Sequence, residues 1–218
     1  MALNIISIID PVFTVTLLST LILGLRLNTR RVAPVGLLVC ASYLGLGFVQ
    51  VQRAEGVAAE LRASRGHVPV KSVVKPTLAN LVLWRSVYVH EQRIYVDAIR
   101  VGFLRGTQVF PGESVEQFTL EKALPGLEAT SVLHGDIQRF RHFSDDYLAL
   151  DLTQANVLGD IRYSLLPTSA KPLWGIVMQP GRPSLHADYR FFRETTNELR
   201  QIFINQLLGR CATVVCQE

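Results

Sequence analysis

IISIIDPVFTVTLLSTLILGL (Ile5–Leu25) and VAPVGLLVCASYLGLGFVQV (Val32–Val51) are two apolar runs separated by a short segment bearing Arg26, Arg30 and Arg31. Each run has about the 20 residues a helix needs to cross a hydrocarbon core roughly 30 Å thick. Apart from those arginines, the only charged residue in 1–52 is Asp10. The reading that follows is α+β: a two-helix transmembrane hairpin over 1–52, and a water-soluble domain with a mostly antiparallel sheet and helices over 53–218.

The chain has 218 residues and a formal net charge of +4, with a mean hydropathy of +0.25 that is concentrated at the N-terminus. After residue 52 acids and bases are near balance, which suits a water-exposed domain large enough to bury its own core. No long Lys/Arg run supports nucleic-acid binding. A cleaved signal peptide fits poorly, because no basic segment precedes the first run and a second run follows at once. The rival is a buried helical hairpin in a soluble protein. Apolarity around the whole circumference of both helices favours lipid instead. The Arg26–Arg31 loop, rich in positive charge, is the better cytoplasmic candidate, which would place both ends of the hairpin outside.

Residues 53–64 continue the second span as helix, and Arg65-Gly66-His67 is a stop. The segment 68–75 is extended. Leu81–His90 and Arg93–Phe103, rich in β-branched residues, predict two strands around a Glu91-Gln92 turn. Residues 106–114 read as a loop, Val115–Leu124 and Val132–Phe143 as helices. Tyr147–Leu152, Ile161–Leu166 and Leu173–Gln179 read as strands, and Tyr189–Leu208 as a late helix ended by Gly209. Short connections favour antiparallel pairing.

Metal-assisted hydrolysis needs several His or carboxylate ligands converging on one ion and an open position for water. The five histidines form no HxxxH or HExxH pattern. His134 and His142 share one face of a predicted helix two turns apart, which suits solvent-facing residues better than ligands. Asp145, Asp146 and Asp151 form a carboxylate cluster or simply build turns. Cys40 reads as a small hydrophobe; Cys211 and Cys216 pair as a disulfide or stay as two tail thiols. Asp10, followed by Pro11, has two readings: an ionisable group facing a polar cavity within the membrane, or a cap at the helix start. No nucleophile elbow, P-loop or dinucleotide fingerprint is present.

Four segments taken together carry a family resemblance: SIIDPVFTVTLL (Ser7–Leu18), KPTLANLVLWRSV (Lys75–Val87), FSDDYLAL (Phe143–Leu150) and GDIRYSLLPTSAKPLWGI (Gly159–Ile176). In order and spacing the chain resembles the membrane-bound metal-dependent hydrolases of bacterial inner membranes, the YdjM/YfhP-like group. The distinguishing sets are Pro76, Asn80, Trp84, Arg85 and Asp160, Arg162, Tyr163, Trp174. That resemblance implies a multi-pass protein of the bacterial inner membrane. It implies a hydrolase that uses a divalent metal, with Asp10 as the catalytic candidate and Asn80, Trp84, Arg85 and Arg162 as substrate-binding candidates. The family's N-terminal HR-x-x-THS-like metal motif has no counterpart here. The chain thus corresponds to the family's C-terminal part, as a truncated product, an internal start or half of a split protein would. The metal ligands would then come from a membrane partner subunit. A structural reading competes: Trp84 and Trp174 as core or interfacial aromatics, Arg85 and Arg162 as partners of Asp160 or Asp97. In functional terms, the alternative to a hydrolase is a non-enzymatic, membrane-tethered domain that binds a partner through its sheet.

Overall fold

The computed structural model describes residues 4–7, 9–27, 31–103, 106–154, 156–193 and 195–210. The notion of a Cys211–Cys216 pairing lies outside these residues. Two helices open the chain, α1 (Pro11–Leu27) and α2 (Val32–Ser64). Asp10 starts α1: its Oδ1 accepts from Phe13 N at 3.0 Å, and Pro11 takes the first helical position, where its missing N–H costs nothing. α2 ends at Gly66, whose φ of +70° suits a residue without Cβ. α2 is long and apolar enough to cross a membrane; α1, with 17 residues, is shorter.

The two helices pack antiparallel through small side chains. Gly36, Cys40 and Gly47 are the buried residues of the apolar half of α2. They face Thr20 and Ile5, and a Cβ on Gly47 would stand 2.6 Å from the Ile5 carbonyl oxygen. Tyr43 Oη donates to Asp10 Oδ2 at 2.8 Å, and its ring lies 6.5 Å from that of Phe13. Such small-residue seams are how helices associate where no water drives them together. The outer surface is apolar and uncovered: Val12, Val15, Leu18, Leu21, Ile22, Val35, Leu37 and Leu38 are all more than half exposed.

From Val51 onward the same helix is part of the domain. Val51, Ala54, Ala58 and Leu61 are buried against one face of a four-stranded antiparallel sheet, sheet A. Its strands are β1 (Lys71–Pro76), β2 (Leu83–His90), β3 (Arg93–Val101) and β4 (Thr107–Glu116), in that order. The boundary read at residue 52 therefore falls inside one continuous helix. A second antiparallel sheet, sheet B, comprises β5 (Leu148–Leu150), β6 (Val157–Asp160), β7 (Trp174–Val177) and β8 (Asp188–Phe191). Tyr147, Ala149, Ile161 and Ala170 join Val87, Val89, Ile94 and Val96 in the core between the sheets. The far face of sheet B is covered by α4 (Val132–Phe143), through Leu133, Ile137 and Phe140, beside the short α3 (Leu120–Ala123). α5 (Asn197–Leu208) packs Phe203 and Leu207 onto Leu83, Ala98 and Phe110 of sheet A.

The α+β class and antiparallel pairing hold, and four element assignments change. Residues 106–114 are strand, not loop. Pro111 and Gly112 sit where the β3–β4 register shifts between Tyr95 and Asp97, so the turn-like composition marks a bulge. Val115 and Glu116 finish that strand, and only Leu120–Ala123 of the predicted helix is helical. The strand expected at Ile161–Leu166 lies earlier, at β6. There Asp160 Oδ1 accepts from Arg162 N at 3.0 Å and turns the chain out of the sheet. The predicted late helix begins as a strand, since Asp188–Phe191 pairs with β7, and α5 starts where Thr196 caps Leu199 N.

The Gly47 seam is testable. Gly47→Leu is expected to destabilise the full chain in detergent by about 1–3 kcal/mol through overpacking against Ile5. Gly45→Leu, with no atom within 4 Å of the added Cβ, should leave the thermal midpoint near the original.

Candidate functional site

Each residue singled out by sequence is engaged inside the chain. Asp10, 3% exposed, uses its carboxylate to cap α1 and hold Tyr43. Asn80 shapes the 77–82 turn: its Oδ1 accepts from Val82 N and Leu83 N at 2.9 and 2.7 Å, and its Nδ2 donates to Thr77 Oγ1 and the Leu78 carbonyl. Trp84 is fully buried under α2, with its indole N–H on the Leu81 carbonyl at 3.2 Å. Arg162 forks onto Asp160, which is itself fully buried, and reaches the Phe143 carbonyl at 2.8 Å.

Arg85 differs from the expected ion pair. Its guanidinium lies between the sheets and donates to the carbonyls of Leu166, Pro167 and Ile161 at 3.1, 2.8 and 2.7 Å. Burial pulls its pKa down to about 9, against the pull of Glu113, Asp160 and Asp97, so it is a cation at neutral pH. Asp97 is taken by Arg65. The Asp145, Asp146 and Asp151 cluster is divided among turns: Asp145 and Asp146 have positive φ after α4, and Asp151 Oδ1 accepts from Thr153 N and Gln154 N. Among the described residues no three His, Cys, Asp or Glu side chains converge to hold a metal. These residues alone do not fit a divalent metal centre.

Two arrangements were not picked out from the sequence. The first sits on the α2 face of sheet A, at the β2–β3 turn end. Arg65 binds Asp97 through two bonds of 2.8 Å, and its Nη1 also donates to Tyr88 Oη at 3.0 Å. Tyr88 Oη lies 2.9 Å from His67 Nδ1. With its lone pair engaged by Arg65, the Tyr88 hydroxyl can direct its proton to His67, which fixes the neutral Nε2–H tautomer. His67 stacks on His90 at 4.4 Å and meets Tyr95 at a tilt at 4.7 Å, and Tyr95 stacks on Tyr88. The His67 pKa is lowered, first by burial, then by the neighbouring His90 and Arg65. Burial raises that of Tyr88. The cluster holds an imidazole neutral in a polar aromatic stack. A two-residue turn at Glu91-Gln92 already pairs Tyr88 with Tyr95 by counting; only the path of the chain after α2 brings in His67.

The second is a cleft of about 430 Å³ on sheet B, lined by Asp136, Arg139, Phe140, Phe143, Ile176, Ala187 and Tyr189. Its walls are the outer side of α4 and the edge strand β8. Asp136 pairs with Arg139 and His186 at the rim and accepts from Ala187 N at 2.8 Å. Phe143, Tyr189 and Phe191 are each at least half exposed. Missing β8 in the sequence hid this site, because Tyr189 and Phe191 then read as part of a helix.

Two outcomes follow. Arg85→Met strands the buried carbonyls of Ile161 and Pro167 at about 1–3 kcal/mol each, while that of Leu166 keeps Ser169 N, so urea unfolding should show a large loss of stability; a residue needed only for substrate would leave the midpoint in place. Because the folded state lowers the His67 pKa, its unfolded form binds the proton more readily. Its contribution to stability is therefore complete above about pH 6.5 and falls as the pH drops below that value. His67→Phe should flatten this acid limb in a pH series of thermal melts. Compared with known proteins, the chain matches no family model, no curated protein and no solved structure.

Proposed function

We propose that the chain is a membrane-anchored docking domain: α1 and α2 hold it in a bilayer, and the sheet B cleft takes an extended segment of a partner protein. The cleft at an open sheet edge carries this reading. Among the described residues β8 pairs only with β7, and all four of its residues are exposed. An extended peptide added along β8 gains main-chain hydrogen bonds, while one apolar side chain enters between Phe140, Phe143, Ile176 and Tyr189. The anchor is supported by the uncovered apolar surface of both helices and their small-residue seam. Val32–Val49 of α2 rises about 27 Å at 1.5 Å per residue, close to a hydrocarbon core. α1 spans with it in antiparallel. The resemblance supports the bacterial inner membrane as the bilayer, with two passes.

A second reading, metal-dependent hydrolysis with ligands from another membrane subunit, is favoured by the buried Asp10 carboxylate between two apolar helices. Detergent-purified protein would then hold stoichiometric zinc, manganese or iron that is lost on Asp10→Asn; no bound metal favours the docking domain.

The docking reading predicts a site-specific adduct. A photo-crosslinking residue at Tyr189, introduced in native membranes, should give one discrete product that Phe143→Ser reduces several-fold, whereas the same probe at Val70, 83% exposed, should give none. Equal products at both positions would refute it. Alkaline carbonate should leave the protein in the membrane pellet.

A further inference from the structure

α2 passes from its lipid-exposed half into the domain without a break, and Gln50 marks the junction. Gln50 is 1% exposed, and its Nε2 donates to the carbonyls of Leu81 and Val101 at 3.0 and 2.9 Å. Arg53 Nη1 binds Gln50 Oε1 at 2.7 Å and the Gly102 carbonyl at 3.1 Å. The turn before β2 and the start of the segment after β3 are therefore fixed at the level where the uncovered apolar surface of α2 stops.

Both carry an apolar side chain that the fold leaves in the open. In the 77–82 turn, Thr77 N donates to the Leu83 carbonyl, Asn80 makes four bonds, and Ala79 takes a φ of +62°. So rigid a turn holds Leu78 at its tip, 62% exposed. Phe103, 51% exposed, follows the Gly102 that Arg53 holds. Arg100 Nε donates to the Leu207 carbonyl at 2.9 Å, which brings the C-terminal turn of α5 to the same end of sheet A. Leu208 is exposed there, and Arg210 follows. Pro76–Leu83, Val101–Gln108 and Asn205–Arg210 contain no Asp or Glu.

We propose that this end of the domain rests on the phospholipid headgroup layer, with Leu78 and Phe103 set into the boundary between headgroups and acyl chains. The proposal depends on α1 and α2 being the membrane anchor. The occupant follows from continuity: the loops are tied to α2 at the end of its lipid-exposed stretch, so they cannot leave the bilayer surface without breaking the Gln50 and Arg53 bonds. Exposed Leu and Phe on segments free of Asp and Glu are the chemistry that the boundary between anionic headgroups and acyl chains selects. The domain is thereby held in one orientation, with the β2–β3 turn farthest from lipid.

The test uses the full chain in phosphatidylcholine–phosphatidylglycerol nanodiscs, with tryptophan emission read over the background of Trp84 and Trp174. Leu78→Trp and Phe103→Trp are made separately, so one misfolded variant leaves the other readable. Leu38→Trp reports the anchor and Val70→Trp the far end. Spin-labelled lipid is expected to quench the added emission of Leu78→Trp and Phe103→Trp about twofold or more, and to spare Val70→Trp. Quenching of Leu38→Trp with neither loop variant affected would overturn this inference and leave the anchor standing. If Leu38→Trp also escapes quenching, the inference and the anchor fall together.

Discussion

Everything in this molecule is positioned by the unbroken course of α2. Its first half exposes Val35, Leu37, Leu38 and Val39 on most of its circumference, and its second half buries Ala54 and Ala58 completely. Alanine at those two positions lets the helix approach sheet A closely enough for Trp84, Ile99 and Val101 to close around it. A linker would let the domain tumble relative to the apolar N-terminal half of the helix. A helix of 33 residues, about 50 Å long, couples the two with no hinge. The Gln50 amide then donates to two carbonyls at the junction, sharing that of Leu81 with the Trp84 indole.

The second constraint is the buried Arg85 cation between the sheets. Arg85 gathers three carbonyls of the 161–167 segment, which has no strand partner of its own there. Desolvating a guanidinium is costly, and here its neutral partners are held at a fixed distance by a planar fork. The connection between β6 and β7 is thereby pinned to β2, and with it the position of sheet B. The cleft on the outer side of sheet B and α2 on the outer side of sheet A end up on opposite faces of the stacked sheets.

The candidate residues show how function and scaffold share a sequence signal. Asn80, Trp84, Arg85 and Arg162 are candidates through the family resemblance; in the fold they serve a turn, an indole packed beneath a helix, a carbonyl clamp and a fork on Asp160. Of the side chains that reach outward, Tyr189 and Phe103 lie outside every segment of the resemblance, and Phe143 and Leu78 lie within one without being among its distinguishing residues. An exposed aromatic is distinguished from a buried one only by what covers it, and cover is supplied by elements distant in sequence.

Local chemistry alone determined several elements. Asp10-Pro11 starts a helix, Gly66 and Gly209 end helices through left-handed φ, and the β2–β3 hairpin follows from alternation around a two-residue turn. The apolar stretches marked the two N-terminal helices because uniform apolarity needs no partner to be recognised. Tertiary structure decided β4, β6 and β8, whose residues are strands only because a neighbour offers its edge: Pro111-Gly112 and Tyr189-Arg190 carry turn-like or ambiguous local preferences that pairing overrides. It also decided the meeting of Arg65, Tyr88 and His67, and of Gln50 with Leu81 and Val101. Hydrogen bonds across such separations depend on how layers stack, and no run of neighbouring residues records that.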